Sequence, residues 1–145
     1  MTFFLGTTGP DGRPHAAGVG AVWVEGDLYC VSGPGTRKSR DLAARPACTY
    51  SVRLQGIDVV LEGEATRVTH PPTLEKLAGV YRQGGWPAEV EGDAYTAPFS
   101  APSAGPPPWY LYRLTCHTAL AVASAEPHGA TRWRFDGKAR SGDKA

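Results

Sequence analysis

No segment of this chain runs far before a turn signal interrupts it. The sequence holds 18 glycines and 13 prolines among 145 residues. Glycine frees the backbone to turn, and proline fixes one dihedral and removes a hydrogen-bond donor. Gly9-Pro10-Asp11-Gly12, Glu25-Gly26-Asp27, Gln55-Gly56 and Gly84-Gly85 cut the chain into short pieces. Such punctuation disfavours a helical bundle and favours many strands joined by tight turns.

The pieces between the turns carry strand patterns. Phe3 to Thr8 and Arg13 to Val24 read as a hairpin, and Leu28 to Ser32 as a third strand. Ala47 to Leu54 alternates cleanly, with Cys48, Tyr50, Val52 and Leu54 on one side. Ile57 to Val68 is a long strand in which Gly63 marks a bulge or corner. Trp109 to Thr115, Thr118 to Ser124 and Thr131 to Phe135 complete seven or eight strands. Two helices interrupt them. One runs from about Arg37 to Arg45, stopped by Pro46. The other starts at Pro71 and places Leu74, Leu77, Ala78 and Tyr81 on one buried face. The fold class is therefore mainly β, a small closed barrel with a few helices. Residues 1–135 form a single domain, and residues 136–145 read as a flexible polar tail. Residues 85–108 form a long proline-rich loop with Trp86, Tyr95 and Phe99, read as a lid or as cover for a neighbouring subunit.

The most informative stretch is Ser32-Gly33-Pro34-Gly35-Thr36-Arg37-Lys38-Ser39-Arg40. It reads as strand, glycine turn and helix start, with Thr36 as N-cap. Arg37, Lys38 and Arg40 fall in the first turn, where the helix dipole is already positive. A bound anion would remove that conflict, and N–H groups, hydroxyls and cations together make a phosphate cradle. A solvated basic turn would carry the same residues. The centre of the second strand is small: Ala17, Gly18, Val19, Gly20 and Ala21. Glycine within a strand marks close approach of a ligand or of another backbone, and tight packing gives the same pattern.

Other chemistry is thin. The formal net charge is +1, which gives no basic excess for nucleic acid. No apolar run is long enough to span a bilayer and no signal peptide is evident, so a cytoplasmic location is expected. Cys30, Cys48 and Cys116 are scattered and form neither a disulfide framework nor a metal motif, so no metal is expected. Glu62 and Glu64 share a strand face but make no general acid–base pair with distant Asp58. Of the four histidines, His15 beside the small strand is the best proton donor, although a lone histidine carries no mechanistic geometry.

The hairpin Thr7 to His15, Leu28 to Ser32, Gly35 to Leu42 with Pro46, and Leu61 to Ala65 together resemble the pyridoxamine 5'-phosphate oxidase-like superfamily of flavin- and deazaflavin-dependent enzymes. The resemblance covers roughly the first half of the chain. It implies the split β-barrel fold and a homodimer with cofactor sites at the subunit interface. It also implies that Thr36, Arg37 and Lys38, with Gly35 beside them, hold the cofactor phosphate, that Ser32 contacts the phosphate or ribityl chain, and that Gly18 to Ala21 lie beside the ring system. The chain departs from the oxidases proper at two places. Ala17 stands where those enzymes carry a flavin-gripping arginine, and Ala121, Val122 and Ala123 replace a bulkier substrate-binding signature.

These departures point away from pyridoxamine phosphate oxidation and towards the reductase branches. The expected activity is hydride transfer to a small conjugated organic substrate, with coenzyme F-420 favoured over FMN and natural-product tailoring as the substrate class. Trp86, Trp109, Tyr110 and Trp133 are candidates for the substrate wall, although buried aromatics are more often plain core. The alternatives are an FMN-dependent oxidase of the same family and a non-enzymatic flavin carrier or sensor. Haem binding is weaker, since no histidine lies in a clearly apolar run.

Overall fold

A computed structural model describes residues 2–98 and 105–135. Phe99 and the tail at 136–145 lie outside the described residues. Among those described, the order is β1 (Thr2–Thr8), β2 (Pro14–Val24), β3 (Asp27–Ser32), α1 (Arg37–Ala44), β4 (Ala47–Leu54), β5 (Ile57–Val68), α2 (Pro71–Gln83), β6 (Glu89–Glu91), β7 (Ala94–Thr96), β8 (Tyr110–Ala123) and β9 (Ala130–Arg134).

One antiparallel sheet runs β3-β2-β1-β4-β5-β8-β9, and a further β3–β8 pairing closes its first six strands into a barrel. Strand β8 makes the closure possible by changing its edge partner along its length. Its first part, Tyr110–Leu114, lies between β3 and β5. Its second part, from Thr118, stays paired with β5 and takes β9 on its other edge. The two separate strands expected at 109–115 and 118–124 are thus one bent strand.

The bend sits at the expected irregularity. The register slips between Glu62 and Gly63, so that Thr118 faces Glu62, Cys116 faces Gly63, and His117 is the extra residue. A Cβ on Gly63 would overlap the Thr115 carbonyl and lie 2.9 Å from its carbon. Only glycine fits there.

Two clusters of buried side chains hold the fold. The barrel interior contains Phe3, Leu5, Val19, Tyr50, Leu61 and Leu114. The second cluster lies under α2, where Leu74, Leu77, Ala78 and Tyr81 pack on Tyr95, Trp109 and Leu111. The helix face expected from sequence is the buried one.

The long segment after α2 differs from a plain loop. It contains the β6–β7 hairpin, and Tyr95 and Trp109 exchange backbone hydrogen bonds of 2.8 and 2.9 Å. The Tyr95 hydroxyl donates to the Leu74 carbonyl at 2.6 Å. Arg67 donates to Asp93 at 2.7 Å and stacks on Tyr110 with its Cζ 3.4 Å from the ring centroid. The described part of this segment is therefore core-forming. Helical and strand periodicity did not reveal it, because three-residue strands are too short to show a period.

Candidate functional site

Helix α1 begins as its sequence dictates. Thr36 is the N-cap, and its hydroxyl oxygen accepts from the Ser39 N–H. No acidic residue occupies the first turn. The Thr36 N–H donates to the Gly33 carbonyl at 3.1 Å, which closes the turn. Arg40 reinforces it by donating to the Gly35 carbonyl at 2.6 Å.

Buried Asp41 ties the helix to β1. Its carboxylate accepts from the Thr7 hydroxyl at 2.8 Å. Arg37 lies 3.9 Å and Arg45 3.7 Å from the same carboxylate. Arg45 also donates to the Thr8 carbonyl at 2.7 Å. Arg37 reaches towards the β1–β2 hairpin, where a Cβ on Gly9 would lie 3.5 Å from its Nη2.

The two cations expected to grip a phosphate have different surroundings. Arg37 is exposed. Lys38 is only 5% exposed, and burial pulls its amine below the ordinary lysine range, with the Cys30 charge working the other way. Ser32 is completely buried and hydrogen-bonds Thr36 and Ser39. Its side chain is enclosed by these partners.

The second element of the site is the edge of β2. Strand β3 pairs with β2 only from Ala21 to Val24. It then departs into the Ser32–Thr36 turn, so the adjoining edge of β2 at residues 14–20 meets no described strand. Val19 and Ala21 point into the barrel and are buried. Gly18 and Gly20 point outwards. A Cβ on Gly20 would meet nothing within 4 Å, and one on Gly18 would make only ordinary contacts with Thr2 and Phe4. Packing within the chain therefore does not require these two glycines. His15 is half-buried in the same inward register as Val19.

The four aromatic candidates do not form one wall within the chain. Trp109 is completely buried and its ring centroid lies 5.0 Å from that of Trp86, inside the α2 cluster. Tyr110 stacks on Arg67, and Trp133 is 47% exposed on β9.

Sequence reasoning missed a groove on the outer face of the barrel. Its volume is about 480 Å³, and it is lined by Thr8, Pro14, Thr49, Glu62, Glu64 and His117 among others. It lies beside the β8 bend and draws its lining from β1, β2, β4, β5 and β8, a five-strand coincidence that no local pattern displays. Among the described residues no cluster of His, Cys, Asp and Glu could hold a metal ion. No described helix is long and apolar enough to cross a membrane. Cys30, Cys48 and Cys116 are free thiols.

The pyridoxamine 5'-phosphate oxidase family model matches residues 1–104. The chain belongs to this family. Its fold is that of PhzG from Burkholderia lata, solved with tetrahydrophenazine-1-carboxylic acid: TM-score 0.66 at 18% identity, covering 94% of this chain and 77% of that one. A pyridoxamine 5'-phosphate oxidase-related, FMN-binding protein from Nostoc punctiforme aligns with TM-score 0.62 at 15% identity, over 93% and 86% of the two chains. A heme-binding protein from Mycobacterium smegmatis gives TM-score 0.62 at 14% identity, over 90% of this chain and 52% of that one. Among curated protein sequences none matches this chain. These identities establish a shared fold, and the family consists mostly of flavin-binding oxidoreductases.

Proposed function

We propose that this protein is a flavin-dependent oxidoreductase that seats the cofactor phosphate at the start of α1 and lays the flat ring along the open edge of β2. The observation that carries this reading is the pairing of an acid-free, cationic helix start with an adjacent strand edge. That edge meets no described strand, and its two outward glycines face open space at Gly20 and only ordinary contacts at Gly18. A phosphate fits the first element and a planar heterocycle the second.

Arg37 supplies the charge and, with Gly35 and the N–H groups at the helix start, the geometry. Gly18 and Gly20 leave room for the ring, while Val19 and Ala21 hold the strand in place by filling the barrel. When bound, a flavin supplies hydride transfer, so the protein's own work is binding, orientation and exclusion of water. Among the described residues no paired acid and base stands at the site. His15 remains the candidate proton donor.

FMN is the first cofactor to test, given the FMN-binding relative; nothing in the geometry supports the preference for coenzyme F-420. The substrate class is a small conjugated organic molecule. The PhzG complex with a tetrahydrophenazine acid favours natural-product tailoring over pyridoxamine phosphate, whose recognition Ala121, Val122 and Ala123 do not serve.

A second copy of the chain is the proposed partner. Gly18, Phe4, Ser51, Val60 and Leu120 form one outward row across five strands. Phe4, next to Gly18 in this row, is 57% exposed. Packing this row on a second copy would cover Phe4 and complete the cleft beside Gly18.

Paired fluorescence titrations of the purified protein with FMN and coenzyme F-420 test the reading. Tight binding of either supports the seat, and turnover with conjugated enones or quinones separates an enzyme from a carrier. Binding of neither reduces the basic turn to a solvated surface.

A further inference from the structure

Three hydroxyls lie behind the proposed phosphate seat, with the Tyr112 hydroxyl hydrogen-bonded to Ser39 at their head, and the donors of the three can be assigned. Thr36 Oγ1 donates to the Gly33 carbonyl at 2.8 Å. A hydroxyl has one proton to give and two lone pairs. Thr36 therefore accepts in its other contacts, from the Ser39 N–H at 3.3 Å and from Ser32 Oγ at 2.8 Å. Ser32 has then spent its proton, so the 2.6 Å contact to Ser39 runs from Ser39 Oγ to Ser32 Oγ. All three protons point one way: Ser39 to Ser32 to Thr36 to the Gly33 carbonyl.

This order saturates Thr36 Oγ1, with one bond given and two accepted. It leaves no hydroxyl proton for a phosphate. Ser32 is completely buried and Ser39 is 3% exposed, so neither reaches one. The chain instead fixes the Gly33–Thr36 turn against the end of β3 and so fixes where the helix start points.

We infer that Ser32 and Ser39 are positioning residues: they act on the cofactor phosphate only through Thr36 and the turn it locks. The inference rests on the phosphate seat proposed above. It replaces the direct contact expected of Ser32.

The test compares FMN with riboflavin, which differ only by the phosphate. Affinities for both are measured for the wild type, Ser32→Ala, Ser39→Ala, the double variant and Ser39→Thr, with thermal unfolding of each. Buried hydroxyl bonds of this kind make each single alanine variant lose about tenfold in FMN affinity while riboflavin affinity stays unchanged. The double variant should lose no more than either single, because both break one chain. Ser39→Thr should restore binding.

A direct phosphate contact by Ser32 would leave Ser39→Ala silent. A general structural role would weaken both flavins equally. Either result overturns the inference. If Ser32→Ala fails to fold, the Ser39 pair decides alone. Arg37→Ala separates the two levels of the argument. If it leaves the FMN-to-riboflavin preference intact, the phosphate seat itself is wrong. If it abolishes the preference while Ser39→Ala does not, only the relay is wrong.

Discussion

Asp41 joins the fold to the site, and its removal has a calculable cost. Its carboxylate is 2% exposed, and the Thr7 hydroxyl that donates to it is 3% exposed. A buried hydrogen bond to a charged group contributes about 1.5–3 kcal/mol. The Arg37 and Arg45 contacts are long, and those side chains are 49% and 35% exposed, so solvent screens them. Together they add no more than about 1 kcal/mol. Asp41→Ala also leaves the Thr7 hydroxyl buried without its acceptor. The expected loss is about 2–3 kcal/mol, which at about 2–4 °C per kcal/mol lowers Tm by roughly 5–10 °C. Asp41→Asn keeps an acceptor for Thr7 and should lose only about 1 kcal/mol. Urea and thermal unfolding of both variants give these values, and a cycle with Thr7→Val isolates the bond itself. If Asp41→Ala unfolds within about 0.5 kcal/mol of the wild type, the carboxylate does not brace the helix and the reasoning fails.

Three further outcomes are expected. Gly63→Ala forces a Cβ into the Thr115 carbonyl and should cost about 1–3 kcal/mol or more; an unchanged urea midpoint would contradict a glycine-dependent bend. Burial pushes the Cys30 thiol up to about 11 and the Cys48 thiol to about 12, from an ordinary 9.0. The folded chain keeps these protons after the unfolded chain has released them, so stability should fall as pH rises above about 9, with Cys30 alone worth about 2 kcal/mol by pH 11. Unfolding at a series of alkaline pH values should show that decline, and a flat profile would refute it. Phe4→Glu should convert a dimer to a monomer in sedimentation velocity, and an unaltered sedimentation coefficient would remove Phe4 from the interface.

The barrel was legible because its signals are local. Turn dipeptides, period-two alternation in Ala47 to Leu54, and the Thr36 cap each depend on a few neighbouring residues. The α2 face was legible for the same reason. What escaped depends on distant partners. The bend that makes β8 one strand arises only when Gly63 meets Thr115, 52 positions later in the sequence. The β6–β7 hairpin is fixed by Leu74 and Trp109 rather than by its own propensity. At the site, the helix start could be located from sequence, but the fates of its side chains could not. Lys38 and Ser32 turn inwards because α1 packs on the barrel, and Arg37 turns out. The spacing of Arg37 and Lys38 treats them as equals; burial does not.

The central claim is that the start of α1 holds the phosphate of a redox cofactor. The direct measurement is an FMN titration of the Arg37→Ala variant beside the wild type, followed by flavin fluorescence, with circular dichroism to confirm folding. A folded variant that has lost FMN binding is the expected result. Wild-type affinity in that variant would contradict the assignment and send the search for the cofactor elsewhere on the barrel.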